Sequence, residues 1–376
     1  MFKYFLFPFM LIPFTQLFAQ IETDLDLETQ SGYEQNIFRF PKTFFDEEQD
    51  TLLGPQETYR SSLYQSVNFR LLFTKTFGKQ ELTFRTNPQG RYYFEDEEAS
   101  YYTLYNRLRY QNRLSRKTQW NVTARFNFRD RDGENLDDSD LRFPLGYTHL
   151  EISSGLNFRA YKQNRSYLEV RSGNRNYKDA TTDALQYNFL GVHFTYRNVF
   201  KRVTGYHSYG VEIEATQRSY SRVYIDPDRE TDRFNWFYTS VEGFYRCPIA
   251  KNWQLRPSLI WTRRKDNKET FSYSEIRPGA SIRYNESRFS MRFNASYTLR
   301  NFDVLRATDS DNTDLGALRF GYTRFRLEAS YPIAKNMYLE FDGYWNGRNS
   351  NRTNVNKLFF RSYEYYHAGF GVKLDL

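Results

Sequence analysis

Cysteine occurs once in the 376 residues, as Cys247. One thiol can form neither an internal disulfide nor a cysteine zinc cluster. After residue 20 no stretch approaches the ~18 consecutive apolar residues of a membrane helix, which excludes helical spans there. The chain has no basic helix, zinc finger or RNA-binding signature. Its pI of about 9.2 arises from lysines and arginines spread along the whole length, so the charge does not point to nucleic acid. Linkers are missing too, and with them any sign of a second domain. What is plentiful is the aromatic side chain. Phe (35), Tyr (32) and Trp (5) make up 19% of the sequence, although the mean hydropathy is −0.79. Disordered chains are aromatic-poor, so the polar mean does not signify disorder.

The dominant pattern is alternation with period two, the period of a strand. In Arg288–Arg300, Phe289, Met291, Phe293, Ala295, Tyr297 and Leu299 alternate with Arg288, Ser290, Arg292, Asn294, Ser296, Thr298 and Arg300. A helix would scatter these arginines around its circumference, whereas a strand sets them all on one side. Ser66–Thr74 and Trp120–Arg129 behave in the same way. The pattern predicts sixteen strands at 21–35, 60–77, 80–95, 100–115, 119–130, 147–161, 165–177, 185–199, 207–224, 233–247, 252–264, 271–285, 287–302, 317–331, 336–347 and 358–376. Short turns alternate with longer polar loops such as 41–59, 130–146, 225–232 and 303–316. This is the layout of an all-β, antiparallel up-and-down transmembrane β-barrel of about sixteen strands, with fourteen to eighteen allowed by the spacing. Both termini then fall at the short-turn, periplasmic end, which requires an even strand number. An internal echo supports the count. Pro248-Ile249-Ala250-Lys251-Asn252 recurs 84 residues later as Pro332-Ile333-Ala334-Lys335-Asn336, both on short turns with four strands between them.

The N-terminus has Lys3, an apolar run from Tyr4 to Phe18, and Ala19 at a cleavage position. It resembles Bacteroidota secretory signals, in which Gln, here Gln20, begins the mature chain. No Cys follows Ala19, so lipoprotein processing is not indicated. The expected organisation is a signal peptide over 1–20 and one barrel domain over 21–376. No plug-sized segment precedes the first strand, which argues against a plugged, TonB-dependent transporter. The last residues, Tyr366 to Leu376, alternate to the end. They are similar to the terminal strand by which outer-membrane barrels are handed to their assembly machinery, although that signal usually ends in Phe or Trp rather than Leu376. The resemblance is to Gram-negative outer-membrane, porin-like barrels as a class and singles out no one family. It implies export through the periplasm to the cell outer membrane.

Charges are sorted by end. Acidic clusters sit in the long loops (Glu47–Asp50, Glu95–Glu98, Asp130–Asp140, Asp226–Asp232, Asp309–Asp314), and bases sit in the short turns (Lys79, Arg116, Lys117, Lys162, Lys251, Lys335). Outer-membrane lipid and lipopolysaccharide, bridged to the acidic loops by divalent ions, are therefore the expected partners. The alternation turns Arg70, Arg85, Arg107, Arg109, Arg113, Arg125, Arg129, Arg159, Arg171, Arg277, Arg283, Arg292 and Arg326 inward. Fewer acids are expected there, namely Glu151, Glu169, Glu212, Glu214, Glu328, Glu340 and Asp342. A wall of one sign focuses the field on passing anions, while Arg–Glu pairs across strands would stiffen it.

No catalytic residue, metal site or cofactor is expected. The four histidines, His149, His193, His207 and His367, show no diagnostic spacing to a nucleophile. His149 near Asp137, Asp138 and Asp140 is the sole protease-like arrangement. Asp309–Asp314 offers alternate oxygen donors but lacks the glycine of a calcium loop at its sixth position. Tyr92, Tyr93, Tyr101, Tyr102, Tyr365 and Tyr366 read as interface anchors; Tyr105, Tyr167, Tyr338 and Tyr344 fall on the inner face and suit a sugar platform better. The leading expectation is a non-enzymatic, porin-like channel for small hydrophilic solutes with a mild anion bias. A closed barrel for surface-protein assembly, secretion or adhesion is the alternative. Trp253–Tyr284, with Pro257-x-Leu259-x-Trp261 and Tyr273-x-x-Ile276-Arg277-Pro278-Gly279, is similar to the barrel portion of surface-lipoprotein assembly modifiers, whose helical-repeat domain is missing here. An outer-membrane hydrolase is a third and weaker possibility.

Overall fold

The computed structural model describes residues 21–376 apart from 41, 43, 47–50, 131, 135–141, 145, 162, 179–185, 221–234, 268, 270 and 355–361. The expected signal segment and the clusters Glu47–Asp50 and Asp226–Asp232 lie outside the described residues. Sixteen strands form the wall: β1 (Ile21–Gln35), β2 (Ser62–Phe77), β3 (Gln80–Tyr93), β4 (Tyr101–Arg113), β5 (Thr118–Asp130), β6 (Tyr147–Phe158), β7 (Asn164–Tyr177), β8 (Tyr187–Arg202), β9 (Gly205–Tyr220), β10 (Asn235–Ala250), β11 (Trp253–Asp266), β12 (Tyr273–Glu286), β13 (Phe289–Thr308), β14 (Asp314–Ala334), β15 (Met337–Ser350) and β16 (Tyr363–Asp375). Each pairs antiparallel with its chain neighbours, and β1 pairs with β16 from Asp26↔Asp375 to Gln35↔Tyr366, closing the sheet into an up-and-down barrel. Closure leaves no edge strand with unpaired amides.

The alternation locates most strand boundaries to within a few residues. The exception is the β13–β14 hairpin, which runs well past the expected 302 and 317. Its ladder becomes irregular between Asn301 and Arg306, and the two strands project beyond their neighbours as an arm. The loops also hold structure that periodicity does not register. Phe44–Asp46 pairs with Thr51–Leu53, and Asp132–Glu134 pairs with Arg142–Pro144. One helical turn, Pro55–Thr58, starts on Pro at its first position and is fixed by the Glu57 carboxylate accepting the Gly54 N–H at 2.5 Å.

The repeated five-residue segment builds the same turn twice. Ala250↔Trp253 and Ala334↔Met337 close two-residue hairpins in which Asn252 (φ 68°) and Asn336 (φ 60°) take the left-handed conformation that Asn tolerates. Pro248 and Pro332, which lack an N–H, sit where the ladder slips by one residue, so Ile249 and Ile333 become bulges.

The two faces of the wall are inverted relative to a water-soluble protein. On β2, Leu63 and Val67 are 53% and 47% exposed, whereas Tyr64 and Ser66 between them are 1% and 7% exposed. The same holds for Tyr33 beside Glu34, and for Leu150 and Ile152 around Glu151. A continuous exposed band of Leu, Ile, Val and Phe around every strand would be an aggregation surface in water and is a lipid-facing band in a bilayer. The polar set faces inward.

Closure of β1 on β16 depends on glycine. Gly32 and Gly369 are directly opposed, and the Tyr64 ring lies over both. A Cβ on Gly32 would come within 2.7 Å of a Tyr64 ring carbon, and one on Gly369 would meet the Tyr64 hydroxyl. Gly369→Val is expected to destabilise the barrel by about 1–3 kcal/mol, the usual cost of overpacking. Ala368→Val, on the outward side of the same strand, should change stability far less. Urea unfolding in detergent micelles, followed by heat-modifiable migration in gels, checks the contrast.

Candidate functional site

The inner wall is organised in tiers. At the long-loop end, the odd-numbered strands from β3 to β15 each bring an arginine, and the strands between bring an aromatic ring. Arg91 lies over Tyr64 (4.0 Å to the ring centre) and Tyr101 (5.9 Å). Arg129 stands opposite Tyr147 in register. Arg175 lies over Tyr147 (4.2 Å) and Tyr187 (5.5 Å), and Arg218 over Tyr187 (4.7 Å) and Tyr238 (4.8 Å). Arg264 follows, over Trp236 (4.2 Å) and Tyr273 (4.7 Å). Arg300 bridges Tyr273 (4.2 Å) and Tyr322 (5.4 Å), and Arg348 reaches Phe320 (5.3 Å) and Tyr363 (4.5 Å). The belt is closed by β1, which carries a carboxylate in the equivalent place. Glu34 is 1% exposed. It accepts the Tyr365 hydroxyl at 2.9 Å, the Tyr93 hydroxyl at 2.6 Å and the Arg91 guanidinium at 2.5 Å. Cation–π contacts of about 1–2 kcal/mol each, strengthened by partial desolvation, hold neighbouring strands at a fixed separation.

Two apolar segments pack onto this belt from the loop end. Ile37, Phe38 and Phe40, just past β1, are buried against Tyr64 and Tyr93. The fully buried Asn36 amide fixes that turn by donating to the carbonyls of Phe40 (2.9 Å) and Glu364 (2.7 Å). Across the mouth, Ala307 and Leu318 of the β13–β14 arm pack on Tyr273, Phe302, Phe320 and Tyr322. Above β2, Glu95 accepts the Ser62 hydroxyl and the Leu63 N–H, which hold its carboxyl below the usual carboxylate range.

Ion pairs fill the middle tier. Arg70 pairs with Asp26, Arg125 with Glu151 and Arg171 with Glu214. Asp342 accepts from His367 (2.6 Å) and Arg326 (3.0 Å), and Glu340 from the Ser330 hydroxyl (2.8 Å). Arg277 lies 3.6 Å from Glu275, and Arg292 3.7 Å from Glu328. Other expected wall residues meet like charges or neutral neighbours across the ladder. Arg107 stands directly opposite Arg85 on one side and Arg125 on the other. Arg109 is flanked by Thr83 and Thr123, Arg283 faces Arg292, and Glu212 faces Glu242. Arg159 lies just past β6 in a basic recess at the short-turn end with Arg113 and Arg165.

Beyond the expected inward acids, β1 contributes others. Register pairs Asp24 with Leu72, Asp26 with Arg70, Glu28 with Asn68 and Glu34 with Ser62, so β1 presents an acidic stripe to the interior. The signal was legible: Leu25 and Leu27 alternate with Asp24, Asp26 and Glu28. Acids therefore gather on β1 and β15, and bases on β3, β4 and β5. The arginine belt also had a partial signal, because an aromatic follows the arginine by two residues on four of its seven arginine strands, in Arg91–Tyr93, Arg175–Tyr177, Arg218–Tyr220 and Arg300–Phe302. Reading strand by strand misses it, since each ring meets an arginine of the neighbouring strand.

The tyrosine pairs split by face. Tyr92, Tyr102 and Tyr366 are exposed on the outer surface, as interface anchors should be, whereas Tyr93, Tyr101 and Tyr365 turn inward. His149 stacks on Phe189 (5.5 Å between ring centres), and His207 bonds Thr204 and Tyr245. Asp137, Asp138 and Asp140 lie outside the described residues. In the 309–314 turn, the Asp309 carboxylate accepts the N–H groups of Asp311 (3.0 Å) and Thr313 (2.8 Å), and Asp314 is paired with Arg306 at 2.7 Å. Those carboxylates are engaged in shaping the hairpin.

No protein-family model matches the chain, and no curated protein matches it. Solved structures do. OccAB3 of Acinetobacter baumannii superposes with a TM-score of 0.51 at 8% identity, covering 94% of this chain and all (100%) of that one. A BenF-like porin from Pseudomonas fluorescens Pf-5 gives 0.50 at 6% identity, over 94% of this chain and 99% of that one. The chain shares the barrel fold of these structures, and its own wall is closed, antiparallel and sixteen-stranded.

Two substitutions test the wall. Arg107→Gln relieves repulsion from Arg85 and Arg125 and is expected to stabilise the barrel by about 0.2–1 kcal/mol, most strongly at low ionic strength. A destabilised variant would show that the guanidinium is held by a partner. Tyr187→Leu removes the ring shared by Arg175 and Arg218. It should destabilise by about 1–3 kcal/mol, with Tyr102→Leu on the lipid side as the milder control. Urea titrations of both variants against the parent decide each case.

Proposed function

We propose that this chain is an outer-membrane, non-enzymatic channel that lets small hydrophilic solutes pass, with a mild preference for anions. The observation that carries the reading is the strand number together with the inverted faces. Eight-stranded barrels are filled by their own side chains, whereas sixteen to eighteen strands leave room for an aqueous passage. The apolar exterior supports residence in a bilayer, and closed barrels with short turns at one end are the architecture of outer membranes. A cleaved leader of the Bacteroidota type at residues 1–20 and recognition of β16 by the barrel-assembly machinery belong to the same proposal. So do periplasmic short turns and contact of the acidic loops with lipopolysaccharide.

The anion preference rests on the arginines of β3, β4 and β5, weighed against the acids of β1. Because the acidic stripe lowers the net potential, the preference is mild and ionic-strength dependent. Purified protein in planar bilayers should give discrete conductance steps. In a salt gradient the reversal potential should be displaced modestly toward the chloride equilibrium potential. Absence of steps, or a clear cation-selective reversal potential, rejects the reading.

A second reading, a closed barrel serving surface-protein assembly, secretion or adhesion, is favoured by one feature. Both apolar segments at the mouth pack inward on the aromatic belt rather than standing clear of it. Under that reading the bilayer stays silent, and a surface or periplasmic protein co-purifies with the barrel.

A further inference from the structure

In the short-turn half of the wall, between β8 and β13, lies a recess of about 470 Å³. Sites for small molecules span roughly 300–1,000 Å³. Three arginines in it, Arg197, Arg246 and Arg283, have no carboxylate within ion-pair distance among the described residues. The Arg197 Nε is buried with no hydrogen-bond partner. Arg246 feels Arg197, Arg256 and Arg292 as like charges, and Arg283 faces Arg292 across the ladder. Arg256 and Arg292 are the neutralised members, paired with Glu242 at 2.6 Å and with Glu328 at 3.7 Å. Guanidiniums crowded on one stretch of wall repel one another unless an anion joins them. Their planar forks match carboxylate and phosphate oxygens.

The rest of the lining is not that of a simple anion trap. Glu212, Gln254 and Asn294 share the recess, with Phe244 beneath. The Glu212 carboxylate there repels a compact polyanion but accepts hydrogen bonds from hydroxyls, and the amides donate and accept. The Phe244 ring occupies the space that Gly210 leaves and adds an apolar patch.

We propose that this recess binds an acidic sugar. Its carboxylate or phosphate is gripped by Arg197, Arg246 and Arg283, its hydroxyls bond to Glu212, Gln254 and Asn294, and its C–H face rests on Phe244. The proposal adds a saturable site to the channel reading and requires that solutes reach the lumen.

Isothermal titration of the detergent-purified barrel at low ionic strength tests it, with glucuronate, glucose 6-phosphate, glucose and citrate as probes. At least one of the two acidic sugars should bind at one site per chain, and which of them binds identifies the anionic group. Glucose and citrate should bind at least tenfold more weakly. Arg246→Gln with Arg283→Gln should lose tenfold or more, and the double lysine variant should recover part of that loss. Glu212→Gln should weaken the acidic sugar while strengthening citrate, a signature that misfolding would not produce. Arg107→Gln, on the β4 wall, should change nothing. Equal binding of glucose or citrate, an equal loss in Arg107→Gln, or no heat with either acidic sugar overturns the proposal. Because binding is read in detergent, it can succeed or fail independently of conductance.

Discussion

Everything in this structure depends on the pairing of its first strand with its last. A wall placed in hydrocarbon cannot leave amide groups unpaired, since water is not there to satisfy them and each orphan costs several kcal/mol. The ladder from Asp26↔Asp375 to Gln35↔Tyr366 removes the only two edges the sheet would have. Once that constraint is met, the inversion of faces follows. The outer residues need only be apolar, and the inner ones are left to set the shape and charge of the interior. The glycines at the seam serve the same pairing by letting Tyr64 lie flat against the joined backbones.

Inside, two kinds of interaction divide the wall by height. The upper belt uses guanidinium on aromatic faces, a contact that fixes spacing without needing an equal number of acids. Below it, carboxylate and guanidinium meet pairwise, as in Arg125 with Glu151 and Arg171 with Glu214. The pairs do not balance. Arg85, Arg107 and Arg125 stand in one cross-strand row, while β1 carries acids in excess. This imbalance, rather than a uniform basic lining, gives the interior its electrostatic character.

Much of this was legible in the sequence, for a physical reason. A barrel strand has one face in lipid and one in water, so each strand records its orientation in its own alternation. Residues such as Phe293 and Arg292 declare opposite faces without reference to any other strand. The repeated Pro-Ile-Ala-Lys-Asn turns were equally plain, because a two-residue Lys-Asn turn is a local event. What was not legible lies between strands. The belt joins Arg218 to Tyr187 and Arg300 to Tyr322, residues tens of positions apart whose meeting depends on register. Ile37, Phe38 and Phe40 have no period and read as loop, although they are buried. The alternation also ends at Asp303, so it could not foretell that β13 runs on to Thr308 in a ladder that has slipped. The inward acids of β1 obey the same alternation, Asp24, Asp26 and Glu28 against Leu25 and Leu27.

Glu34 has a consequence for the order in which the barrel can be completed. Every arginine of the belt finds its rings on adjacent strands and can settle as each hairpin forms. The Glu34 carboxylate cannot, because its donors come from β3 on one side and from Tyr365 of β16, the last strand made, on the other. Until the C-terminal strand arrives, a charged group destined for a nearly water-free position lacks part of its partner set, and such a group is costly to bury. A barrel left ajar, or closed one register out, would keep that cost. The buried acid of β1 thus works as a check on closure, favouring the one alignment in which the two ends of the chain have met.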